Sequence, residues 1–368
     1  MKIALRTAAL ASATALTLAL AACSSDDETS TTPSATDTET MAPLSGELNG
    51  AGASSQEKAQ EAWKATFEGD HPGVTLNYDP VGSGGGRTQF LDGATSFAGS
   101  DSLMKADEYA SAVERCDGDL GAAHLPMYIS PIAVLFNLEG IDSLNMTPDV
   151  IAQIFDGKIT KWNDPAIAAD NAGVSLPDSP ITVVHRSDES GTTSNFTDYL
   201  EKASSSWPYE HSGEWPNNVG EGGPGTSAVI DLVKGTAGTI GYADASRAAG
   251  FGTVAIKVGD AFVSYSPAGA AAAVAASPLA EGANGANDLA YKLDRTTTAA
   301  GAYPLVLVSY IIVCQQYDDP TERALVTEYV KFMASDDGQN IAANAAGSSP
   351  IGALSDQIIA IAEQIAAG

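Results

Sequence analysis

"YPLVLVSYIIVCQQY" (Tyr303–Tyr317) and its earlier counterpart "LPMYISPIAVLFN" (Leu125–Asn137) decide the fold. Each is nearly continuous in apolar residues, the pattern of a strand buried on both faces rather than one alternating between core and water. The chain between them is long enough for a domain of its own, and so is the chain outside them. Two long strands so placed predict one lobe built from both ends of the chain and a second inserted within it, with a hinge and a cleft. Lobe 1 is then 47–131 with 306–368, and lobe 2 is 132–305.

Outward from these segments, strand-like runs alternate with helical periods, so an α/β architecture with largely parallel sheets is expected. Ala59, Ala62, Trp63, Thr66 and Phe67 share one face of a helix over Gln56–Phe67. "VTLNYDPVG" reads as a strand, "GSGGGRTQFLDG" (Gly82–Gly93) as a loop opening into a helix, and "SFAGSD" as a short strand ending at Asp101. A helix is expected over Asp107–Cys116, and in "MTPDVIAQIFDG" Thr147 is an N-cap with Pro148 behind it. "ITVVHRSD" is a strand leading to a helix at Thr192–Lys202. "TSAVIDLVKGTAGTIGYAD" adds a helix and a strand, and helices at Thr321–Ala334 and Ser355–Ala366 follow the second β-rich segment.

Lys2 and Arg6 precede the uncharged stretch Thr7–Ala22, which closes on "LAAC" at Cys23. That is a basic region, an apolar region and a small-residue cleavage site, so 1–22 is expected to be a signal peptide. "LAAC" resembles the lipobox of bacterial lipoproteins, which implies a lipid such as palmitate on Cys23 and a location at the extracytoplasmic face of the cell membrane. Segment 23–46 is rich in Ser, Thr, Asp and Glu with little to bury, as in a disordered tether. The formal net charge of −28 argues against nucleic acid as a partner. An anion site in such a field must work through short-range donors, with screening beyond about 8–10 Å. Cys116 and Cys314 have no metal-type spacing. In an oxidising compartment a disulfide is expected between them, the alternative being two buried thiols.

"GAGASSQEK" (Gly50–Lys58), "GSGGGRTQF" (Gly82–Phe90) and "RSDESGTTSNF" (Arg186–Phe196) share one design: a strand enters a small, hydroxyl-bearing loop that opens into a helix. Unpaired N–H groups and the positive end of the helix dipole make each a place to hold an oxyanion. Enzymatic readings fare worse. "GSGGGRT" lacks the lysine of a phosphate-binding loop, and its glycines miss the dinucleotide spacing. Ser190 and His185 could be drawn as nucleophile and base, but "ESG" lacks the flanking glycine of a nucleophile elbow. His71, His124 and His211 form no metal-binding spacing, and no metal or cofactor is expected.

Taken in order, "GAGAS", "YDPVGSGGGRTQFLDGATSFAGSD", "KITKWNDPAI", "HRSDESGTTSNFTDYL" and "GTIGYAD" closely resemble the phosphate-binding proteins that feed bacterial ABC phosphate importers. The resemblance runs from about Leu48 to the C-terminus. It implies the two-lobed periplasmic-binding-protein fold, type II-like with two hinge strands, and inorganic phosphate held in the cleft by hydrogen bonds. Carried over by position, Ser83, Asp101, Ser54 and the Ser55 amide are first-lobe ligands. Arg186, braced by Asp188, joins Ser190, Gly191 and Thr192 from the second lobe. The family commonly has Thr-Phe at Ser54-Ser55, which removes an aromatic wall and leaves Ser55 the weakest assignment. Asp101 would accept the proton that phosphate carries and sulfate lacks, unless it is a helix cap or a partner of Lys105. The implied partner is a permease of two membrane subunits and an ATPase, served by a monomer. A phosphomonoesterase using the same cradle, or a receptor for sulfate, molybdate or a phosphonate, is the alternative.

Overall fold

A computed structural model describes residues 43–280 and 285–368. The expected signal peptide, Cys23 and the tether as far as residue 42 lie outside the described residues. In chain order the elements begin with β1 (Ser45–Gly52), α1 (Glu57–Asp70), β2 (Gly73–Asp79), α2 (Ser83–Leu91), β3 (Phe97–Ser100), α3 (Ala106–Arg115) and the long β4 (Ala122–Phe136). There follow β5 (Ser143–Met146), α4 (Pro148–Phe155), α5 (Pro165–Ala169), β6 (Thr182–Arg186), α6 (Gly191–Ala203), β7 (Glu221–Gly223) and α7 (Gly225–Gly235). Then come β8 (Thr239–Asp244), β9 (Gly252–Val258), β10 (Ala261–Val263) and α8 (Pro267–Ala275). The second long strand, β11 (Val306–Cys314), leads into α9 (Pro320–Ala334), α10 (Asp336–Ala346) and α11 (Leu354–Ala367).

The main path of the sheet runs β2-β1-β3-β11-β4-β8-β6-β7. Every residue of β4 and β11 is buried, as their unbroken apolar pattern requires. β4 pairs with β11 from Ala122 to Pro131, then with β8 from Ile132 to Phe136, and so carries the chain from one half of the sheet to the other. β11 brings it back, pairing with β3 on its other side. The two lobes are these halves, each with its own helices.

The expectation of a largely parallel sheet needs correction. β1 is parallel to β2 and β3, and β6 to β7 and β8, but β11 is antiparallel to β3 and β4, and β4 to β8. One strand leaves the first lobe and the other returns to it, so neighbours at the crossing run in opposite directions. The expected tether is also too long: Ser45 and Gly46 already pair with Gly73 and Val74, because main-chain bonding to β2 orders them without side-chain burial.

In the first lobe Tyr329 packs on Phe67 of α1 and on Phe97, with Trp63 in the same core, and the second lobe packs Phe155 on Phe196 and Tyr242. Cys116, the C-cap of α3, is disulfide-bonded to Cys314 at the end of β11. Before β11, the chain touches the first lobe once more: Asp288 accepts from the His124 main-chain N–H (2.7 Å), and the Leu289 N–H donates to the His124 carbonyl (2.9 Å). Among the described residues no helix is long and apolar enough to cross a membrane.

Candidate functional site

The three hydroxyl-bearing loops converge between the lobes. β1 ends at Gly52, and Ser54 and Ser55 lie in a short 3-10 turn ahead of α1. β2 passes through Gly82, whose φ of +91° is a left-handed conformation that glycine adopts without strain, into α2 at Ser83. β6 delivers Arg186, and Ser190 caps α6 by accepting from the Thr193 N–H at 3.1 Å.

Asp101 follows β3 at the centre of this arrangement and is only 4% exposed. Its Oδ1 accepts from Ser55 Oγ (2.6 Å) and from Ser309 Oγ of β11, and its Oδ2 accepts from Thr192 Oγ1 (3.0 Å). Its main-chain N–H donates to Ser83 Oγ (3.1 Å), which leaves the Ser83 proton free to be given elsewhere. Burial pushes the Asp101 carboxyl up, and the Ser309, Ser55 and Thr192 hydroxyls with the Arg186 charge pull it part of the way back. Gly191 comes so close that a Cβ there would lie 2.5 Å from Ser83 Oγ and 2.6 Å from the Asp101 Cβ. Only glycine lets the start of α6 reach the first lobe at this depth.

Arg186 is 3% exposed, and its Nε donates to Asp188 Oδ1 at 2.7 Å while Nη2 meets Oδ2. The Gly225 N–H donates to the same carboxylate at 3.0 Å. Burial raises the Asp188 carboxyl, but the Arg186 bond and charge outweigh it and hold the group below its ordinary range. Asp188 therefore holds the guanidinium from one side.

Ser54 and Ser55 each make a protein contact at the cleft. Ser54 faces the second lobe, where its Oγ accepts from the Thr226 N–H (3.1 Å) and lies 2.9 Å from Thr226 Oγ1. Ser55 reaches Asp101 through its hydroxyl, a contact that the aromatic residue common in the family could not make. Lys105 does not pair with Asp101; its ammonium lies 3.0 Å from Glu189, which also binds Arg87 of α2 at 2.7 Å. Asp101 caps no helix, the residue before α3 being Lys105.

Several residues at the site were not singled out in the sequence. Gly225 and Thr226 open a fourth helix, α7, toward the cleft, and the turn "GPGTS" was their signal. Asn195 of α6 donates to the Asp101 carbonyl at 2.7 Å and to Gly191 O at 2.9 Å. Ser309 is a lone hydroxyl in an apolar strand, and that isolation was its only sign.

A cavity of about 640 Å³ opens beside Asp101, lined by Arg87, Lys105, Lys202, Lys292 and Arg295 and also by Glu189, Asp198 and Glu214; Arg87 and Lys105 pair with Glu189, and Arg295 with Asp198. Ser190 and His185 do not pair as nucleophile and base: Ser190 Oγ accepts from the Thr193 N–H, whereas His185 Nδ1 donates to the Arg186 carbonyl (2.8 Å) and its ring stacks on Trp215. Asp198, Glu201 and His211 bring ligand atoms within 4.8 Å of one another. Arg295 already holds Asp198, and Lys202 and His211 hold Glu201, so their charge is spent within the protein.

Two lobes joined by two strands, with helix starts, hydroxyls and a braced arginine aimed into the cleft, define a two-lobed solute-binding protein shaped for a small oxyanion. A family model for the PBP superfamily domain matches residues 35–337. The phosphate-binding protein PstS 3 of Mycobacterium leprae is 39% identical over 283 residues, 74% of each chain. PstS of Xylella fastidiosa is 32% identical over 306 residues, 82% of this chain and 79% of that one. The chain belongs to the phosphate-binding proteins of bacterial ABC phosphate importers, within the PBP superfamily. A solved phosphate-binding protein from Stenotrophomonas maltophilia shares the fold, with a TM-score of 0.68 at 20% identity over 86% of this chain and 93% of that one.

Proposed function

We propose that this protein binds inorganic phosphate outside the cytoplasm and delivers it to an ABC-type phosphate permease, as a binding protein and not an enzyme. The observation that carries this reading is Asp101: a buried acceptor ringed by donors from both lobes, with Arg186 and Asp188 beside it. Phosphate near neutral pH keeps a proton and sulfate does not. A carboxylate therefore meets a donor on one anion and only lone pairs on the other. Charge-assisted hydrogen bonds contribute about 1.5–3 kcal/mol each. A handful from Ser55, Ser83, Arg186, Gly191 and Thr192, after association costs, reaches the ~8 kcal/mol of a micromolar site.

In this reading Ser54 bridges the lobes through Thr226, and Ser190 fixes the start of α6 so that its free N–H groups face the anion. The lobe limits, 47–131 with 306–368 and 132–305, are supported by β4 changing partner between Pro131 and Ile132 and by β11 starting at Val306. The resemblance of "LAAC" to a lipobox supports lipid on Cys23 and attachment of a monomer to the extracytoplasmic face of the membrane.

Calorimetric titration with phosphate, sulfate, molybdate and a phosphonate tests the assignment. Phosphate should bind with micromolar or better affinity and sulfate far more weakly. Asp101→Asn should loosen discrimination against sulfate more than it weakens phosphate binding. Equal losses for both anions would refute the role given to Asp101.

A further inference from the structure

Asp101 is also approached from behind, through the core of the first lobe. Tyr329 OH donates to Gln60 Oε1 (2.7 Å), Gln60 Nε2 to Gln56 Oε1 (2.9 Å), Gln56 Nε2 to Ser309 Oγ (2.6 Å), and Ser309 Oγ to Asp101 Oδ1. None of these four donors' residues is more than 1% exposed. The direction of the chain is fixed by a carbonyl. Gln56 Nε2 also lies 3.1 Å from the oxygen of Tyr310, which can only accept, so that end of the amide must be the NH2. The Gln56 oxygen then faces Gln60, whose own oxygen faces the Tyr329 hydroxyl. Ser309 Oγ accepts a hydrogen bond from Gln56, and its single hydroxyl proton is directed at Asp101.

We propose that Ser309, oriented by Gln56, is a specificity-determining positioning residue: with Ser55 it occupies Asp101 Oδ1 and keeps the group a carboxylate, leaving Oδ2, which accepts from Thr192 Oγ1, as the oxygen with room for the proton of the bound anion. A carboxyl proton on Oδ1 would point at two hydroxyls whose own protons point back at it. Burial alone favours the neutral acid, and a neutral acid is a donor that serves sulfate as well as phosphate. The hydrogen-bond chain opposes that outcome. Besides Arg186, the Tyr78 and Tyr128 phenols act on Asp101, and burial holds both far above their ordinary range, so they stay neutral beside it. The inference rests on Asp101 being the acceptor for the ligand's proton, as proposed above.

The test measures phosphate and sulfate affinities from pH 5 to 9 for the wild type, Ser309→Ala, Ser309→Thr, Gln56→Met and Asp101→Asn. Losing one charge-assisted bond should raise the pH below which sulfate begins to compete by about one unit or more, with a roughly ten-fold higher sulfate-to-phosphate affinity ratio in that window. Ser309→Thr, which keeps the hydroxyl, should restore the wild-type onset. Gln56→Met, which frees Ser309 to turn away, should move it in the same direction by less, and carries the test alone if Ser309→Ala fails to fold. Asp101→Asn should keep only the pH dependence that phosphate's own ionisation near neutral pH gives every variant, and the shifts above are read against it. An unmoved onset in both Ser309→Ala and Gln56→Met, beside an Asp101→Asn variant that has lost discrimination, would overturn the role of Ser309 alone. Wild-type discrimination in Asp101→Asn would instead overturn the reading beneath it.

Discussion

Asp244 and Asp101 are both buried carboxylates beside the crossing strands, and their neighbours set them apart. Asp244 Oδ1 accepts from Tyr128 OH (3.0 Å) and the Ser246 N–H (2.9 Å), but its Oδ2 has no partner among the described residues. Burial pushes its pKa up to about 6. An aspartate raised on folding stabilises the fold in its protonated form. That contribution is complete below the unfolded value near 4 and is lost as pH rises through about 6. Asp244→Asn cannot ionise, so its melting temperature relative to wild type should climb by several degrees between pH 4 and 7. A difference that stays flat would show that Asp244 does not titrate in that window. At this scale the cleft residues were legible where a local motif carried them: Arg186, Asp188, Gly191 and Thr192 occupy one turn whose chemistry is readable without the fold. Ser309 and Gln56 were not, because their partners lie 208 and 253 residues away along the chain and only the pairing of β11 with β3, beside the turn before α1, brings them together.

Elements show a similar division. The continuous apolar run of β4 and β11 announces a strand buried on both faces, yet such a strand reads alike in either direction, which is why the antiparallel crossing was not foreseen. α8, mostly alanine, presents no apolar stripe to betray a period, and α10 carries its buried face on Gly338, Gln339, Ala342 and Ala346. Spacing in sequence said little about the cysteines; the elements do, since α3 ends where β11 ends and Cys116 meets Cys314 with Cα atoms 5.3 Å apart. Closing a loop across 198 residues is worth up to about 5 kcal/mol in the chain-entropy model. Cys116→Ser with Cys314→Ser should therefore lower the denaturant midpoint markedly. Phosphate affinity should move by less than about two-fold, because Cys314 lies five residues beyond Ser309, roughly 16 Å along the strand. A fall in affinity that tracks the loss of stability would mean that the disulfide shapes the cleft itself.

For the whole molecule the question is what holds two acidic lobes together over an anion. With a net charge of −28 the halves repel at long range, so closure must be made by specific pairs. They lie on both sides of Asp101: Arg87 with Glu189 at 2.7 Å on one rim, and on the other Glu57 with Arg247 at 3.2 Å and Lys58 donating to the Ser246 carbonyl at 2.8 Å. The Glu57–Arg247 pair is the cleaner probe, since neither group touches the residues assigned to phosphate. Its side chains are 27% and 24% exposed, which places it among partly solvated ion pairs worth about 0.2–1 kcal/mol. In the proposed function release requires the lobes to part, which would break the pair, so Glu57→Ala or Arg247→Ala should speed dissociation by up to about five-fold. A double-mutant cycle removes the separate effects of each charge on the anion and leaves the coupling between the two side chains. That coupling should be positive at low ionic strength and shrink as salt is added, because screening acts on a pair so exposed. A coupling of zero under both conditions would mean that this pair adds nothing to holding the lobes together over the anion.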